Sequence, residues 1–302
     1  MKVLVTGASG LIGAALCDSL LGRGDDVVGL TRDPGKARGK RPVIDWHRWD
    51  PTLERPDAAA FEGVEAVVNL VGEKIDQRWT EAAKKKIIES RRVGTHNLVQ
   101  AIAGLERRPA VLINQSAVGY YGNRGDEVID ESAGPGEESF DSEVVVAWET
   151  AAHEVEATGL RLVVLRTGQV LDSRGGMLGE LLPPFKLGVG GPIAGGAQYL
   201  SWIHIDDEVG MILWALDDAR VSGTFNATAP EPATNRDFSK ALGRALGRPA
   251  VVPVPGFVLD LKFGSEFGAV LKGGQRVVPK RALELGYEFQ HPDLDGALED
   301  LL

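Results

Sequence analysis

Short runs rich in β-branched residues alternate with longer amphipathic segments over roughly the first 170 residues of this chain. The amphipathic segments repeat apolar residues at the helical period, and the first of them places Leu11, Ile12, Ala15, Leu16 and Leu20 on one stripe. Alternation of this kind is typical of parallel βαβ units with right-handed crossovers. The pattern therefore predicts a doubly wound parallel sheet of the α/β class.

The same pattern gives approximate positions for the elements of this sheet. It predicts strands near 2–6, 26–30, 43–46, 64–70, 110–115 and 161–166. It predicts helices near 11–22, 79–103 and 139–158.

The amino-acid composition changes after the last of these strands. Residues 173–196 are rich in glycine and proline, which predicts a loop laid over a cleft. The segment 201–216 predicts a strand and a helix, with Asp206 or Asp207 as the helix N-cap. One more strand is predicted within 221–228.

The C-terminal part of the chain predicts three short helices and an edge strand at 250–255 that prolines interrupt. We therefore expect a Rossmann domain built from 1–170 and 201–228. A smaller C-terminal α/β lobe, built from 171–200 and 229–302, is expected to hold the substrate.

Charge and composition exclude several classes of protein. The 302-residue chain has a formal net charge of −10, which repels phosphate backbones, so no nucleic-acid partner is expected. A single cysteine, Cys17, excludes an intramolecular disulfide and is expected to be a core residue in a reducing compartment. No apolar segment reaches the length of a signal-peptide core or a membrane span, so we expect a cytoplasmic protein with no membrane association.

The opening stretch KVLVTGASGLIGAAL combines a strand, a glycine turn and a helix, with glycines at 7, 10 and 13. Gly7 allows the sharp turn, Gly10 allows the backbone to approach a pyrophosphate, and Gly13 allows the helix to pack on the strand. Free amides at the helix N-terminus favour bound phosphate. The predicted cradle of a dinucleotide consists of Gly7, Ser9, Gly10, Leu11, Ile12 and Gly13.

The wide glycine spacing resembles the short-chain dehydrogenase/reductase superfamily, in particular its extended branch. VEAVVNLVG (64–72), RRVGTHNLVQAI (91–102) and SWIHIDD (201–207) are similar to further segments of that superfamily. The stretches 78–95 and 273–298 resemble its atypical nucleoside-diphosphate-sugar epimerase family, which has its own uncharacterised C-terminal domain. The resemblance covers essentially the whole chain and implies the extended Rossmann fold.

The end of the second predicted strand distinguishes between the two nicotinamide dinucleotides. An acidic residue there selects NAD, whereas this chain has Thr31 followed by Arg32. A guanidinium can hold a 2′-phosphate through two hydrogen bonds, so the predicted cofactor is NADP. Asp33 follows directly, and the alternative is that Arg32 pairs with a neighbouring acid or with solvent.

The resemblance implies three further positions for the cofactor. Asp50 would accept a hydrogen bond from the adenine amine, and Leu70, Val71 and Gly72 would line the path of the nucleotide. Packing at the strand end is the alternative for each of these residues. Arg91 stands where the superfamily has an asparagine, and it would hold a cofactor phosphate or a substrate carboxylate, or else form an ion pair on the helix surface.

The resemblance also implies a tyrosine and a lysine four residues later as the proton-transfer pair, with a serine that polarises the substrate carbonyl. Ser116 matches the serine only if one extra residue is allowed before Tyr121. Counting back from Glu149 places Asp141 at the tyrosine position and Val145 at the lysine position, so the pair is missing.

We therefore consider substitutes for the missing pair. Tyr121 or its neighbour Tyr120 is a candidate acid, with Ser116 donating to the developing oxyanion, and Asp141 or Glu143 is a candidate base. For the two tyrosines and Asp141, packing or stabilisation of a helix terminus is the competing interpretation.

A metal site is not expected from the sequence. The segment His204-x-Asp206-Asp207 offers ligand types, but the other histidines are isolated in the sequence. We expect an NADP-dependent reductase or epimerase acting on a small hydroxy or keto compound, with a nucleotide sugar as one candidate substrate. The alternative is a non-catalytic NADP-binding sensor of redox state, which the missing tyrosine and lysine favour.

Overall fold

The computed structural model describes residues 1–137 and 139–302. Within these residues the chain forms strands β1 (Lys2–Thr6), β2 (Asp26–Thr31), β3 (Asp45–Arg48), β4 (Ala66–Asn69), β5 (Val111–Ala117), β6 (Val128–Ile129), β7 (Arg161–Thr167), β8 (Gln169–Leu171), β9 (Tyr199–Leu200), β10 (Trp202–His204), β11 (Gly223–Ala227), β12 (Ala233–Thr234) and β13 (Arg276–Val277).

The helices of the described residues surround these strands. They are α1 (Leu11–Gly22), α2 (Pro34–Lys40), α3 (Glu81–Ala103), α4 (Phe140–His153), α5 (Gly176–Lys186), α6 (Ile205–Asp217), α7 (Asn235–Leu246), α8 (Gly256–Phe263), α9 (Ser265–Lys272), α10 (Lys280–Glu284) and α11 (Leu294–Leu301). Short 3-10 helices cover Ala58–Phe61, Val118–Tyr121 and Glu154–Thr158.

Seven strands form one parallel sheet in the order β11-β7-β5-β4-β1-β2-β3. Side chains alternate between its faces: Val3 and Val5 enter the core beneath α1 and α6, whereas Leu4 enters the core beneath α3. This architecture confirms the predicted doubly wound sheet. The winding reverses between β1 and β4, and ligands of such sheets bind outside the carboxyl ends of the strands at that point.

A second core joins the C-terminal elements to the sheet domain. Leu182 of α5, Phe238 of α7, Leu298 of α11 and Trp202 of β10 meet in it. Separately, Phe267 of α9 packs with residues at the start of α3 and α4. These contacts place a smaller lobe above the carboxyl edge of the sheet, and the domain division at 170, 200 and 228 stays a prediction.

Several predicted elements are wrong or displaced. The third strand runs from Asp45 to Arg48 and is shifted by two residues from the predicted 43–46. Residues 250–255 form no strand, and Val254 makes only an isolated bridge with Ile193, because prolines remove the amides that a ladder needs.

The glycine-rich segment also differs from its prediction. It contains α5, whose interior carries Pro183 and Pro184, and it is therefore more than a loop. Residues after 229 form five helices where three were predicted. The N-cap of α6 is His204, whose Nδ1 accepts from the Asp206 amide at 3.0 Å, so neither predicted aspartate caps this helix.

None of the described helices is long and apolar enough to cross a membrane.

Several acids are buried in the sheet domain, and one of them is hydrogen-bonded to side chains of β5 and β7. Glu208 of α6 has no exposed surface, and its Oε1 accepts from Gln115 Nε2 at 3.1 Å and from Thr167 Oγ1 at 3.0 Å. Its Oε2 has no partner among the described residues. Burial raises the pKa of Glu208 to about 7, and the two hydrogen bonds offset only part of this effect.

The raised pKa of Glu208 predicts a pH-dependent loss of stability. The unfolded chain ionises this group above about pH 4.5, whereas the folded chain resists ionisation up to about 7. Stability therefore falls as pH rises through this interval, by about 3 kcal/mol in total. We expect Glu208→Gln to match the parent protein in urea denaturation at pH 4.5 and to exceed it by about that amount at pH 8.

The exposed Glu299 of α11 provides the matched control, since Glu299→Gln makes the same chemical change at the surface. A Glu208→Gln variant with the same pH dependence as the parent would contradict this prediction.

Candidate functional site

The turn between β1 and α1 is shaped by close backbone approach. Gly7 has φ +65°, and a Cβ added there would lie 2.7 Å from the Leu70 carbonyl oxygen. A Cβ on Gly13 would overlap the Gly7 carbonyl. Only glycine fits both positions, because other residues would push α1 away from the turn. The structure thus brings Gly7, Gly10 and Gly13 together as predicted.

The first turn of α1 leaves its amides free for a ligand. Its N-cap, Gly10, makes no side-chain cap, and the first helical hydrogen bond runs from the Ala14 amide to the Gly10 carbonyl at 2.9 Å. The amides of Leu11, Ile12 and Gly13 therefore have no carbonyl partner within the helix. Together with the helix dipole, they form a site that fits a phosphate group. Ser9 is exposed beside it.

The end of β2 presents an arginine that has no partner among the described residues. Arg32 is exposed and forms no ion pair or hydrogen bond with the described residues. The neighbouring Asp33 does not pair with it, because Oδ1 of Asp33 accepts from the Lys36 amide at 3.0 Å and caps α2. Thr31 Oγ1 accepts from the Asp33 amide at 3.3 Å. The guanidinium of Arg32 is therefore available to an anion.

The loop after β4 is fixed by a threonine on β1. Thr6 Oγ1 accepts from the amides of Leu70 at 3.0 Å and Val71 at 3.1 Å, and it donates to Asn69 Oδ1 at 2.7 Å. Both predicted residues thus lie against the glycine turn, with the exposed Gly72 next in the chain.

Asp50 and Arg91 each have hydrogen-bond partners within the protein. Asp50 Oδ1 accepts from the amide and hydroxyl of Thr52. Arg91 Nη1 donates to the carbonyls of Glu73 at 2.9 Å and Ile87 at 3.2 Å, and its guanidinium lies 5.0 Å from the ring of Trp148. Burial lowers the pKa of Arg91 to about 10. Arg91 therefore braces the loop after β4, and the predicted surface ion pair is absent among the described residues.

Ser116 lies beside a buried ion pair. The register of β5 and β7 pairs Ser116 with Arg166, and both Arg166 Nε and Nη2 donate to Glu149 at 2.8 Å. Ser116 Oγ donates its proton to Glu149 Oε1 at 2.5 Å. This geometry argues against the predicted donation from Ser116 to an oxyanion, because its one proton is already committed.

Tyr121 is fully buried in the same cluster. Its hydroxyl donates to Asn226 Oδ1 at 2.7 Å and accepts from Arg166 Nη1 at 3.0 Å. Burial raises the pKa of Tyr121, an effect that Arg166 partly offsets. A tyrosine without exposed surface whose hydroxyl is bonded twice is poorly placed to protonate a substrate, so the geometry argues against Tyr121 as the catalytic acid.

The neighbouring Tyr120 differs from Tyr121 in exposure. It is half-buried, and the Arg166 guanidinium carbon lies 3.4 Å from its ring centroid. Asp141 is buried on the first turn of α4, close to Gly119, whereas Glu143 on the same turn is exposed. Burial thus favours Asp141 over Glu143 as a residue beside Tyr120.

A cluster of histidines and aspartates was missed by the sequence analysis. His204 stacks on His291 with centroids 3.8 Å apart, and with Asp206 and Asp300 they place four candidate ligand atoms within 4.8 Å of one another. Because Nδ1 of His204 accepts an amide hydrogen, its ring proton is assigned to Nε2, which is the atom that faces Asp300. Histidines that are isolated in the sequence thus meet in the fold, although the tautomer of His204 disfavours a metal.

Two arginines at the site were also missed. The sequence does contain a signal for Arg166, because an arginine inside the apolar run of β7 indicates a buried acid as its partner. Arg276 of β13 had no such signal, because its surroundings come together only in three dimensions. Its guanidinium carbon lies 5.0 Å from the ring centroid of Tyr199, and its buried Nε has no partner among the described residues.

Comparison with known proteins matches two family models to consecutive parts of the chain. A model of the NAD dependent epimerase/dehydratase family matches residues 3–227, and a model of a domain of unknown function, DUF1731, matches residues 254–301. The bovine epimerase family protein SDR39U1 is 40% identical to this chain over 307 residues, with full coverage of both chains.

Solved structures are similar over the whole chain. The human epimerase family protein SDR39U1 (isoform 2), crystallised with NADPH, is 37% identical with a TM-score of 0.90, over 100% of this chain and 99% of that chain. The UDP-glucuronic acid 4-epimerase of Bacillus cereus, in complex with UDP-glucuronic acid and NAD, is 20% identical with a TM-score of 0.79, over 100% of this chain and 98% of that chain. The second likeness shows the fold alone.

The buried pair predicts a strongly non-additive effect of mutations. Glu149 and Arg166 have side chains only 7% exposed. Burial by itself lowers the pKa of Arg166, but the hydrogen bonds and charge of Glu149 raise it overall. Arg166→Met leaves a buried carboxylate without a partner, and we expect it to lower the free energy of unfolding by about 3–5 kcal/mol.

The double variant Glu149→Gln/Arg166→Met removes both charges and is expected to recover part of this loss in urea denaturation. Equal stability of the single and double variants would show that the pair is not coupled.

Proposed function

This chain belongs to the NAD dependent epimerase/dehydratase family and carries a DUF1731 domain, and from that premise we propose that it is an NADP(H)-dependent enzyme. It acts on a small hydroxy or keto compound as a reductase or an epimerase. When bound, the nicotinamide supplies a hydride to the substrate carbon or takes one from it.

The observation that carries the proposal is the pair of anion sites at the switch point of the sheet. The free amides of Leu11, Ile12 and Gly13 suit the pyrophosphate, and the unpaired Arg32 suits a 2′-phosphate. The spacing of these groups follows from the β1-α1-β2 unit. The human relative crystallised with NADPH supports the same choice of cofactor.

The remaining predicted residues take supporting positions in this proposal. Leu70, Val71 and Gly72 line the path from the pyrophosphate toward the carboxyl end of β5, and Asp50 has a second carboxylate oxygen for the adenine amine. Arg91 holds the loop that carries them. These assignments keep the cofactor extended along the carboxyl edge of the sheet, as the strand order requires.

The lobe that follows the sheet domain supplies the substrate side of the cleft. Arg276, whose guanidinium has no acidic partner among the described residues, favours a substrate with a phosphate or carboxylate group, and Tyr199 offers its ring alongside. A nucleotide sugar meets both requirements and is our preferred class. The missing Tyr-x-x-x-Lys pair supports the second candidate, an NADP-binding sensor without turnover.

Replacement of Arg32 tests the choice of cofactor. We expect Arg32→Ala to weaken NADPH binding by about 10- to 100-fold, because a charge-assisted pair contributes about 1.5–3 kcal/mol, and to leave NADH binding unchanged. Fluorescence titration of both dinucleotides measures this difference. Arg107→Ala removes the same charge from an exposed position far from β2 and serves as the control. Unchanged NADPH affinity in Arg32→Ala would refute the cofactor assignment.

Turnover distinguishes the enzyme from the sensor. We expect the protein to oxidise NADPH, followed by loss of its near-ultraviolet absorbance, with at least one member of a panel of aldehydes, ketones and nucleotide sugars. For nucleotide sugars, product analysis by NMR detects an epimer that forms without net oxidation. Stoichiometric NADPH binding without turnover or epimerisation across the panel would favour the sensor.

A further inference from the structure

We propose that Tyr120 is the proton donor and acceptor of this site and that Arg166 is its positioning residue. The inference rests on the proposed function, since it assigns the proton transfer that accompanies hydride transfer. The polar side chains around the carboxyl ends of β5 and β7 differ in one respect: most have a hydrogen-bond partner among the described residues, and one hydroxyl has none.

The other hydroxyls of the cluster are committed. Ser116 donates to Glu149, and Tyr121 donates to Asn226 while it accepts from Arg166. By contrast, the Tyr120 hydroxyl has no hydrogen-bond partner among the described residues, and Tyr120 is half-buried where Ser116 and Tyr121 are buried. Tyr120 therefore carries the one hydroxyl of the cluster that is free to meet a substrate.

The backbone fixes the direction of this side chain. The Tyr120 carbonyl accepts from the Gly136 amide at 2.9 Å and from Ser142 Oγ at 3.3 Å. The ring is clamped between Arg166, at 3.4 Å from its centroid, and the edge-on ring of Tyr121, with centroids 5.3 Å apart. A donor held on a 3-10 turn by these contacts loses little conformational freedom when a substrate binds.

Arg166 supplies the charge that the missing lysine would have provided. Its guanidinium lies flat enough against Tyr120 for its carbon to approach the ring centroid to 3.4 Å, and Glu149 fixes its plane through two hydrogen bonds. A cation at the face of a phenol stabilises the negative charge that the ring acquires once its proton has left. Because Val145 of α4 occupies the lysine position, the positive charge is supplied by Arg166 of β7 and not by a residue of α4.

In the reduction of a ketone or aldehyde, a reduced nicotinamide is the hydride donor, and the hydride forms the new C–H bond at the carbonyl carbon. The carbonyl π electrons move to oxygen, which takes the proton from Tyr120 Oη as that O–H bond breaks. The phenolate then recovers a proton from water. Oxidation of a hydroxyl group runs through the same transfers in reverse.

A matched pair of variants tests the assignment. Tyr120→Phe removes the free hydroxyl and keeps the ring on Arg166, whereas Tyr121→Phe removes the hydroxyl that is bonded twice. With the panel compound that the parent protein turns over, we expect Tyr120→Phe to lower kcat by about 100-fold or more, with NADPH affinity unchanged. We expect Tyr121→Phe to retain kcat within about 10-fold. Melting temperatures of both variants establish that they are folded.

A chemical readout tests the same geometry without turnover. N-acetylimidazole acetylates accessible tyrosine hydroxyls, and fragmentation of the peptides by tandem mass spectrometry distinguishes the four tyrosines of the chain, including the adjacent Tyr120 and Tyr121. We expect acetylation of Tyr120 but not of Tyr121, with protection of Tyr120 by saturating NADPH. Tyr199, half-buried in the C-terminal lobe, reports reagent activity in each sample.

Two further variants separate this role from alternatives. Arg166→Lys keeps a charge but loses the planar stack, and we expect kcat to fall by at least 10-fold while KM and NADPH affinity stay the same. Asp141→Asn tests the remaining candidate base, and we expect it to lower kcat less than Tyr120→Phe does. Near-parental kcat in Tyr120→Phe, failure of Tyr120 to be acetylated, or loss of activity in Asp141→Asn with an active Tyr120→Phe would overturn the assignment. A parent protein that binds NADPH without turnover would instead refute the proposed enzyme, and the inference with it.

Discussion

The contact between the first turn of α1 and the backbone of the glycine turn determines the geometry of the whole carboxyl edge of the sheet. Gly13 sits so close to the Gly7 carbonyl that no side chain fits between them, and a side chain on Gly7 would likewise overlap the Leu70 carbonyl. This packing directs the free amides of α1 toward the point where the strand order reverses. Thr6 then ties the loop after β4 to the same place, so the edge forms one continuous surface.

The second organising feature is the Glu149–Arg166 pair beneath that edge. Burying two charges is costly unless both are paired and hydrogen-bonded, and here the carboxylate accepts from Arg166 twice and from Ser116 once. The pair therefore fixes which hydroxyls are committed and which one is free. It also explains how a site without the family's lysine still places a cation next to a tyrosine ring.

Sequence reasoning predicted the parts of the molecule that depend on local periodicity and on glycine. The positions of β1, α1 and β2, and the roles expected of Gly7 and Gly13, follow from steric rules that act within a few residues. The same reasoning failed where the outcome depends on contacts distant in sequence. His204 and His291 are 87 residues apart in the numbering and meet only because α6 docks on the C-terminal segment.

The difference between Tyr120 and Tyr121 also depends on contacts distant in sequence. The sequence around two adjacent tyrosines does not show which of them is buried, and only Arg166 of β7 and Asn226 of β11 determine which hydroxyl is buried. Likewise, α5 forms around two prolines that a local rule places in a loop, because its apolar face packs in the core of the second lobe. Tertiary packing decided each of these cases.

A crystal structure of the protein with NADPH is the most direct test of this account. We expect this crystal structure to show the pyrophosphate on the amides of Leu11 and Ile12 and the 2′-phosphate within hydrogen-bond distance of Arg32. The nicotinamide C4 is expected on the side of the cleft that Tyr120 faces. A dinucleotide bound elsewhere, or one whose 2′-phosphate points into solvent with Arg32 turned away, would contradict it.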